Sequence, residues 1–257
     1  MPTVQLKNYT CNYEFLNSGK DRTIIFSNSL GTDYSMWNKV VDIIKSDFNI
    51  ILHDTRGHGK STNSQKELTI EELGEDIIEL LHTLKIEGKI TFCGLSMGGL
   101  IGQYLGINHS HIFDKIILAN TASKIGSTDS WNTRIETVMA NGLSSILTGT
   151  AERWFTPNFQ ANHADEVNAI LEKFAANDLA GYCASCAAVR DGDYRYQIDK
   201  INIPVLVITG SEDLVTTVDD GRFMKTKITV SKLEVLEAAH LSAVEQAEEF
   251  AKNILSF

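Results

Sequence analysis

Through its first 120 positions the chain alternates short apolar runs with longer segments whose apolar residues recur every three or four places. The runs at 23–27, 48–53, 90–93 and 115–120 are largely continuous, rich in β-branched and aromatic residues, and bounded by polar or glycine-containing turns. They read as strands covered on both faces, where the alternation of a half-exposed strand disappears. Between two of them, Trp37, Val40, Val41 and Ile44 fall at i, i+3, i+4 and i+7, the stripe of a helix lying on a sheet. A second stripe, Ile70, Leu73, Ile77, Leu80, Leu81 and Leu84, follows a capping box in which Thr69 and Glu72 satisfy each other's backbone N–H groups. Strand followed by helix, repeated, predicts an α/β fold: a mostly parallel twisted sheet with right-handed crossovers and helices on both faces. The partly alternating segments at 4–6 and 10–16 predict edge strands.

From position 121 the pattern changes. Strand-like runs vanish until 203–210, and helix-like stretches such as 164–176 and 180–189 take their place. A last strand is predicted at 232–236 and a closing helix over 244–257. The organisation implied is one core, 1–120 with 201–257, and a helical cap, 121–200, inserted after a sheet strand. Such an insertion covers the carboxyl ends of the strands, where open α/β sheets bind ligands.

One stretch carries chemistry. The run at 90–93 leads directly into Gly94-Leu95-Ser96-Met97-Gly98, and an apolar, small-residue segment continues to Leu105. A G-x-S-x-G match arises by chance in roughly one chain in ten of this length, so its context must decide. Strand, sharp turn and helix make the nucleophile elbow of the α/β-hydrolase fold, which exposes the serine at a helix N-terminus and requires an acid and then a histidine later in the chain. Asp213, after the strand at 203–210, is the expected acid, with its neighbour Glu212 as rival. His240, after the last strand, is the only histidine beyond His163. His58 precedes the serine and reads as part of a tight turn, Arg56-Gly57-His58-Gly59. The oxyanion donors expected are the N–H of Met97 and, from the loop after the first buried strand, that of Leu30.

Composition narrows the field. A formal charge of −10 argues against nucleic acid, whose binders need a dominant basic face. No run of 18 apolar residues is present, so no membrane span is expected, and the amino terminus lacks the basic-then-apolar pattern of a secretory signal; a cytoplasmic location is expected. Cys183 and Cys186 lack the second ligand pair that zinc would need, so the metal expectation is none, and serine chemistry of this kind requires no cofactor.

Taken together, these motifs resemble the 3-oxoadipate enol-lactonases, α/β-hydrolases of aromatic catabolism. The resemblance runs over nearly the whole chain. It is carried by Asn28-Ser29-Leu30-Gly31-Thr32-Asp33 with Met36-Trp37, by the Arg56 turn and the serine motif, by Ala239-His240-Leu241-Ser242, and by the cap. In the cap the matching stretches are Asn120-Thr121-Ala122-Ser123-Lys124-Ile125-Gly126, Trp131 with Arg134, Arg153-Trp154-Phe155-Thr156-Pro157, and Cys186-Ala187-Ala188-Val189-Arg190-Asp191. Gly192 and Tyr194 depart from it, where bulkier aliphatic residues are expected. The resemblance implies a small anionic lactone as substrate, with Ser96, Asp213 and His240 catalytic. Trp131, Arg134, Trp154 and Arg190 are then expected to contact it, Arg134 first and Arg190 second as the holder of its carboxylate. A general carboxylesterase or cofactor-free perhydrolase, or a ligand sensor on the same fold, remain the alternatives at this level.

Overall fold

The computed structural model describes residues 2–62 and 67–257. Eight strands form one sheet: β1 (Thr3–Gln5), β2 (Thr10–Leu16), β3 (Arg22–Ser27), β4 (Asn49–His53), β5 (Lys89–Leu95), β6 (Lys115–Ala119), β7 (Val205–Gly210) and β8 (Ser231–Leu236). Their order is β1-β2-β4-β3-β5-β6-β7-β8. β2 runs antiparallel to β1 and β4, and every other pairing is parallel. The chain leaves β3 toward β4 on one side and leaves β5 toward β6 on the other. Those opposed connections open a crevice at the carboxyl ends of β3 and β5.

The core helices are α1 (Asn38–Ile44), α2 (Ile70–Thr83) and α3 (Met97–Asn108). Between β6 and β7 come α4 (Thr128–Asn141), α5 (Leu147–Trp154), α6 (Pro157–Asn162), α7 (Ala164–Ala175) and α8 (Leu179–Asp191), and after β7 come α9 (Val218–Lys227), α10 (Ser242–Glu245) and α11 (Ala247–Ser256). α1 packs on α11 and α2 on α3, while α3 lies along β5 and β6. The α2 capping box forms as its sequence requires: the Thr69 hydroxyl accepts from the Glu72 N–H at 3.1 Å, and the Glu72 carboxylate accepts from the Thr69 N–H at 3.2 Å.

Two predicted helices differ in detail. The turn holding Trp37 is a 3₁₀ segment, Tyr34–Trp37, that precedes α1. It places the buried indole so that Nε1 donates to Asn28 Oδ1 at 2.9 Å. The closing helix is broken at Gln246, where φ −124° and ψ 46° leave the helical region. α4 left a faint sequence signal because it buries only Val138 fully.

The helical segment between β6 and β7 is seated on the core by close backbone approach. A Cβ at Gly57 would lie 2.7 Å from the Cα of Gly181, so α8 rests directly on the loop after β4. Under α8, the His58 ring is buried and faces Tyr182, with ring centroids 6.5 Å apart. Lys39 with Glu166 (2.6 Å) and Lys173 with Asp33 (3.4 Å) add exposed ion pairs at the same seam, each worth well under 1 kcal/mol.

His53, at the end of β4, and His58 are both buried, and burial lowers each imidazole pKa to about 4. Neither ring nitrogen of His53, nor Nε2 of His58, has a hydrogen-bond partner among the described residues. The unfolded chain therefore binds protons below about pH 6.5 that the folded chain refuses. Stability is fully present above that pH and is lost as pH falls toward 4, by up to about 3 kcal/mol per histidine. Denaturant midpoints should drop steadily from pH 7 to 5, and His53→Asn should flatten the slope. A midpoint constant over that range would contradict this reading.

Candidate active site

β5 turns into α3 through Ser96, whose backbone sits at φ 59° and ψ −111°. A side-chain-bearing residue adopts this conformation only where its surroundings force it. Here they do. A Cβ on Gly98 would meet the Ser27 carbonyl oxygen at 2.3 Å, and one on Gly94 would meet the Gly98 oxygen at 2.0 Å. The turn is also tied to the next strand: the Ser96 N–H donates to the Ala119 oxygen at 2.9 Å, and the Thr121 hydroxyl donates to the Ser96 oxygen at 2.8 Å.

The three residues expected to form a catalytic unit come together, though they lie in separate loops. His240 Nε2 is 2.9 Å from Ser96 Oγ, and Nδ1 is 2.9 Å from Asp213 Oδ2. An ionised carboxylate only accepts hydrogen bonds, so Nδ1 carries the proton and the Nε2 lone pair faces the serine hydroxyl. Burial pushes the Asp213 pKa up. The His240 charge and hydrogen bond, the Thr216 N–H and the Asn120 amide together outweigh it and hold the acid down at about 2. Oδ1 accepts from the N–H groups of Val215 (2.8 Å) and Thr216 (3.0 Å), and Oδ2 accepts from the Thr216 hydroxyl (2.9 Å). Glu212 is exposed, and no hydrogen bond of its side chain reaches His240.

Asn120 supports this unit and was invisible as such in the sequence. Fully buried at φ 41°, it donates from Nδ2 to Asp213 Oδ2 and to the Ala239 oxygen, both at 3.1 Å, and accepts from the Ser242 hydroxyl. One amide thus ties the acid to the histidine loop. Glu245 does similar work from the other side: its carboxylate accepts from the N–H of Ala239 (3.1 Å) and from the N–H (3.1 Å) and hydroxyl (2.8 Å) of Thr156. No local pattern marks either residue, since each matters only through partners far away in sequence.

The N–H groups of Leu30 and Met97 donate to no group among the described residues, whereas the neighbouring Gly98 N–H is taken by the Asn28 oxygen at 3.2 Å. Two free donors beside Ser96, one at the N-terminus of α3, suit an oxygen that gains negative charge.

A cavity with about 50 Å³ of free volume opens over Ser96, Leu30 and His240. Ser29, Ile125, Trp131, Arg134, Arg153, Trp154, Val189 and Val215 complete its walls. Of the four residues expected to contact a substrate, the fold brings Trp131, Arg134 and Trp154 here and does not bring Arg190. That side chain instead pairs with Asp191 at 2.8 Å and bonds Asn132 Oδ1 at 3.1 Å, because the end of α8 turns it toward those groups. Gly192 and Tyr194 also lie outside the cavity, Tyr194 bonding Glu71 at 3.0 Å. A larger groove of about 560 Å³ along α2 is lined by carboxylates such as Glu71, Glu75 and Glu79, and no serine, threonine or cysteine is among its lining residues. Among the described residues no group of three or more His, Cys, Asp or Glu side chains could hold a metal, and all four cysteines are free thiols.

A serine on an elbow at the sheet's crevice, followed by an acid after β7 and a histidine after β8, defines an α/β-hydrolase. A family model described as "Serine aminopeptidase, S33" matches residues 20–241. Two curated proteins of Acinetobacter baylyi are similar over almost their whole length. "3-oxoadipate enol-lactonase 2" is 42% identical over 96% of this chain and 92% of its own. "3-oxoadipate enol-lactonase 1" is 42% identical over 91% and 87%. The crystal structure of the enol-lactonase from Burkholderia xenovorans LB400 superposes with a TM-score of 0.96 at 34% identity, covering 99% of this chain and 98% of that one. The chain belongs to the 3-oxoadipate enol-lactonase family of the α/β-hydrolases and is a hydrolase of ester bonds.

Asp213 and Glu212 are adjacent carboxylates in contrasting surroundings, which permits a sharp comparison. Asp213→Asn should lower kcat for any ester substrate by roughly 10³ to 10⁴, since an amide no longer selects the productive histidine tautomer. Glu212→Gln should cost less than a factor of three or so. Steady-state rates of the two variants decide the matter, and equal losses would show the acid to be misassigned.

Proposed function

We propose that the chain opens 3-oxoadipate enol-lactone to 3-oxoadipate through a Ser96 acyl-enzyme, a step in the breakdown of aromatic compounds by the β-ketoadipate pathway. His240 takes the hydroxyl proton as Ser96 Oγ bonds to the lactone carbonyl carbon. The carbonyl oxygen receives the electron pair and is held by the N–H groups of Leu30 and Met97. Collapse breaks the ring C–O bond, and His240 hands its proton to the departing enol oxygen. That enol stays tethered to the acyl chain and relaxes to a ketone, which removes the group that could close the ring again. Water, giving its proton to His240, then attacks the acyl carbon; Ser96 leaves with that proton, and a second carboxylate is released. The atoms balance without a cofactor or a metal.

The observation that carries this reading is a cationic wall facing Ser96 in a chain of charge −10. Arg134 lines the cavity with its guanidinium 5.9 Å from the Trp131 ring. The lactone bears a carboxylate that the overall field repels, so a local cation suits it better than it suits a neutral ester. The cavity is small: a water needs about 10–15 Å³ of such space, so it has room for a few waters and little for a peptide. The names of the Acinetobacter relatives support the same substrate.

Ser96→Ala should lower lactone hydrolysis by roughly 10⁴ or more with the thermal midpoint kept; more than a tenth of the activity remaining would contradict the proposal. Arg134→Ala should reduce kcat/KM for the lactone, relative to that for a small uncharged aryl ester, by about 10- to 150-fold, the worth of one charge-assisted bond. A proportionate fall on both substrates would mean that Arg134 serves the cap's structure instead.

A further inference from the structure

The chain contains seven arginines, and five of them, Arg22, Arg56, Arg190, Arg195 and Arg222, form ion pairs with carboxylates. The two that have no carboxylate partner among the described residues are Arg134 and Arg153, and both line the cavity over Ser96. Scarcity of acids does not explain the exception, since 33 Asp and Glu face 23 Lys and Arg. Arg134 donates Nε to the Tyr182 hydroxyl at 2.7 Å and keeps its terminal nitrogens unbonded. Arg153, half-buried in the last turn of α5, has neither a hydrogen bond nor an ion pair among the described residues. Burial, and then repulsion from Arg134, hold its pKa below the ordinary arginine value; the buried Tyr182 and the exposed Glu152 counter this only in part.

Two like charges kept partly out of water, side by side and unneutralised, destabilise a fold unless something arrives between them. Dispersing them would be easy, because α5 has solvent on its other face, where Glu152 already lies. The arrangement has a use if an anion completes it. We propose that Arg153 is the second half of a two-guanidinium clamp which, with Arg134, fixes the carboxylate of the substrate. This rests on the reading of the Ser96 cavity as the substrate site. The clamp restricts the enzyme to esters and lactones that carry a carboxylate remote from the scissile carbonyl. It also gives the dicarboxylate product a hold at the end away from Ser96.

Direct binding tests this without turnover, so the result does not depend on whether the enol-lactone is hydrolysed. Adipate, a six-carbon dicarboxylate, and adipamide, its uncharged counterpart, are titrated calorimetrically into the protein and into Arg153→Gln and Arg153→Lys. The intact protein should bind adipate at least tenfold more tightly than adipamide. Arg153→Gln should weaken adipate by roughly 10- to 100-fold, the worth of a charge-assisted bond, and reduce the salt dependence of its Kd, while adipamide shifts by less than threefold. Arg153→Lys, which keeps the charge and loses the fork, should fall between. Should the glutamine variant fail to fold, the lysine variant decides: a severalfold loss for adipate alone supports the clamp, and an unchanged Kd overturns it. Equal affinities of the intact protein for the two ligands, an unchanged adipate Kd in Arg153→Gln, or parallel losses for both ligands would each overturn it as well.

Discussion

Ser96 sits in a backbone conformation that L-residues avoid, and most of what is distinctive nearby exists to keep it there. Glycine at 94 and 98 lets β3, β5 and α3 approach until only a hydrogen atom fits between them. The Ala119 oxygen and the Thr121 hydroxyl then fasten the bend to the end of β6. The consequence is geometric. A sharp enough turn lifts the hydroxyl clear of its own backbone and leaves the N–H of Met97 unbonded beside it, so the candidate nucleophile and the proposed anion-holding donor share one origin.

The rest of the site is brought to that point by ties between loops distant in sequence. Asn120 joins Asp213 to the carbonyl of Ala239, and Glu245 joins Ala239 to Thr156. The Leu241 N–H donates to the Trp154 oxygen at 3.0 Å. Through these few bonds the loop carrying His240 and the segment carrying Arg153 and Trp154 hold each other in register. Positioning of the candidate base and shaping of the pocket wall are therefore one structural problem. A buried polar network of this kind is costly when one member is removed, because its partners are left unsatisfied.

What could be read in advance follows from what is local. Buried strands announce themselves as apolar runs, and the elbow is five consecutive residues, so the α/β-hydrolase sheet and Ser96 were legible. Chain order then singled out a histidine and narrowed the acid to two neighbours. Choosing Asp213 over Glu212 needed the direction of a side chain, which a turn of irregular backbone does not disclose. The same holds in the helical segment between β6 and β7. Arg134, Arg153 and Arg190 are chemically alike in sequence, and only the packed helices reveal that the first two face the cavity while the third is turned to Asp191. Helices such as α4, nearly all of whose side chains keep contact with water, leave too little apolar periodicity to be placed with certainty.

The claim on which everything turns is that lactone opening happens at Ser96 and nowhere else. The most direct measurement is titration of the protein with a fluorophosphonate, which phosphonylates serines activated by a neighbouring base, followed by peptide mapping and assay of the remaining lactone hydrolysis. The account predicts one label per chain, on the peptide containing Ser96, with activity lost in proportion to labelling and with the lactone slowing the reaction. Full modification of Ser96 with lactone hydrolysis retained, or loss of activity tracking a label on a different residue, would contradict it.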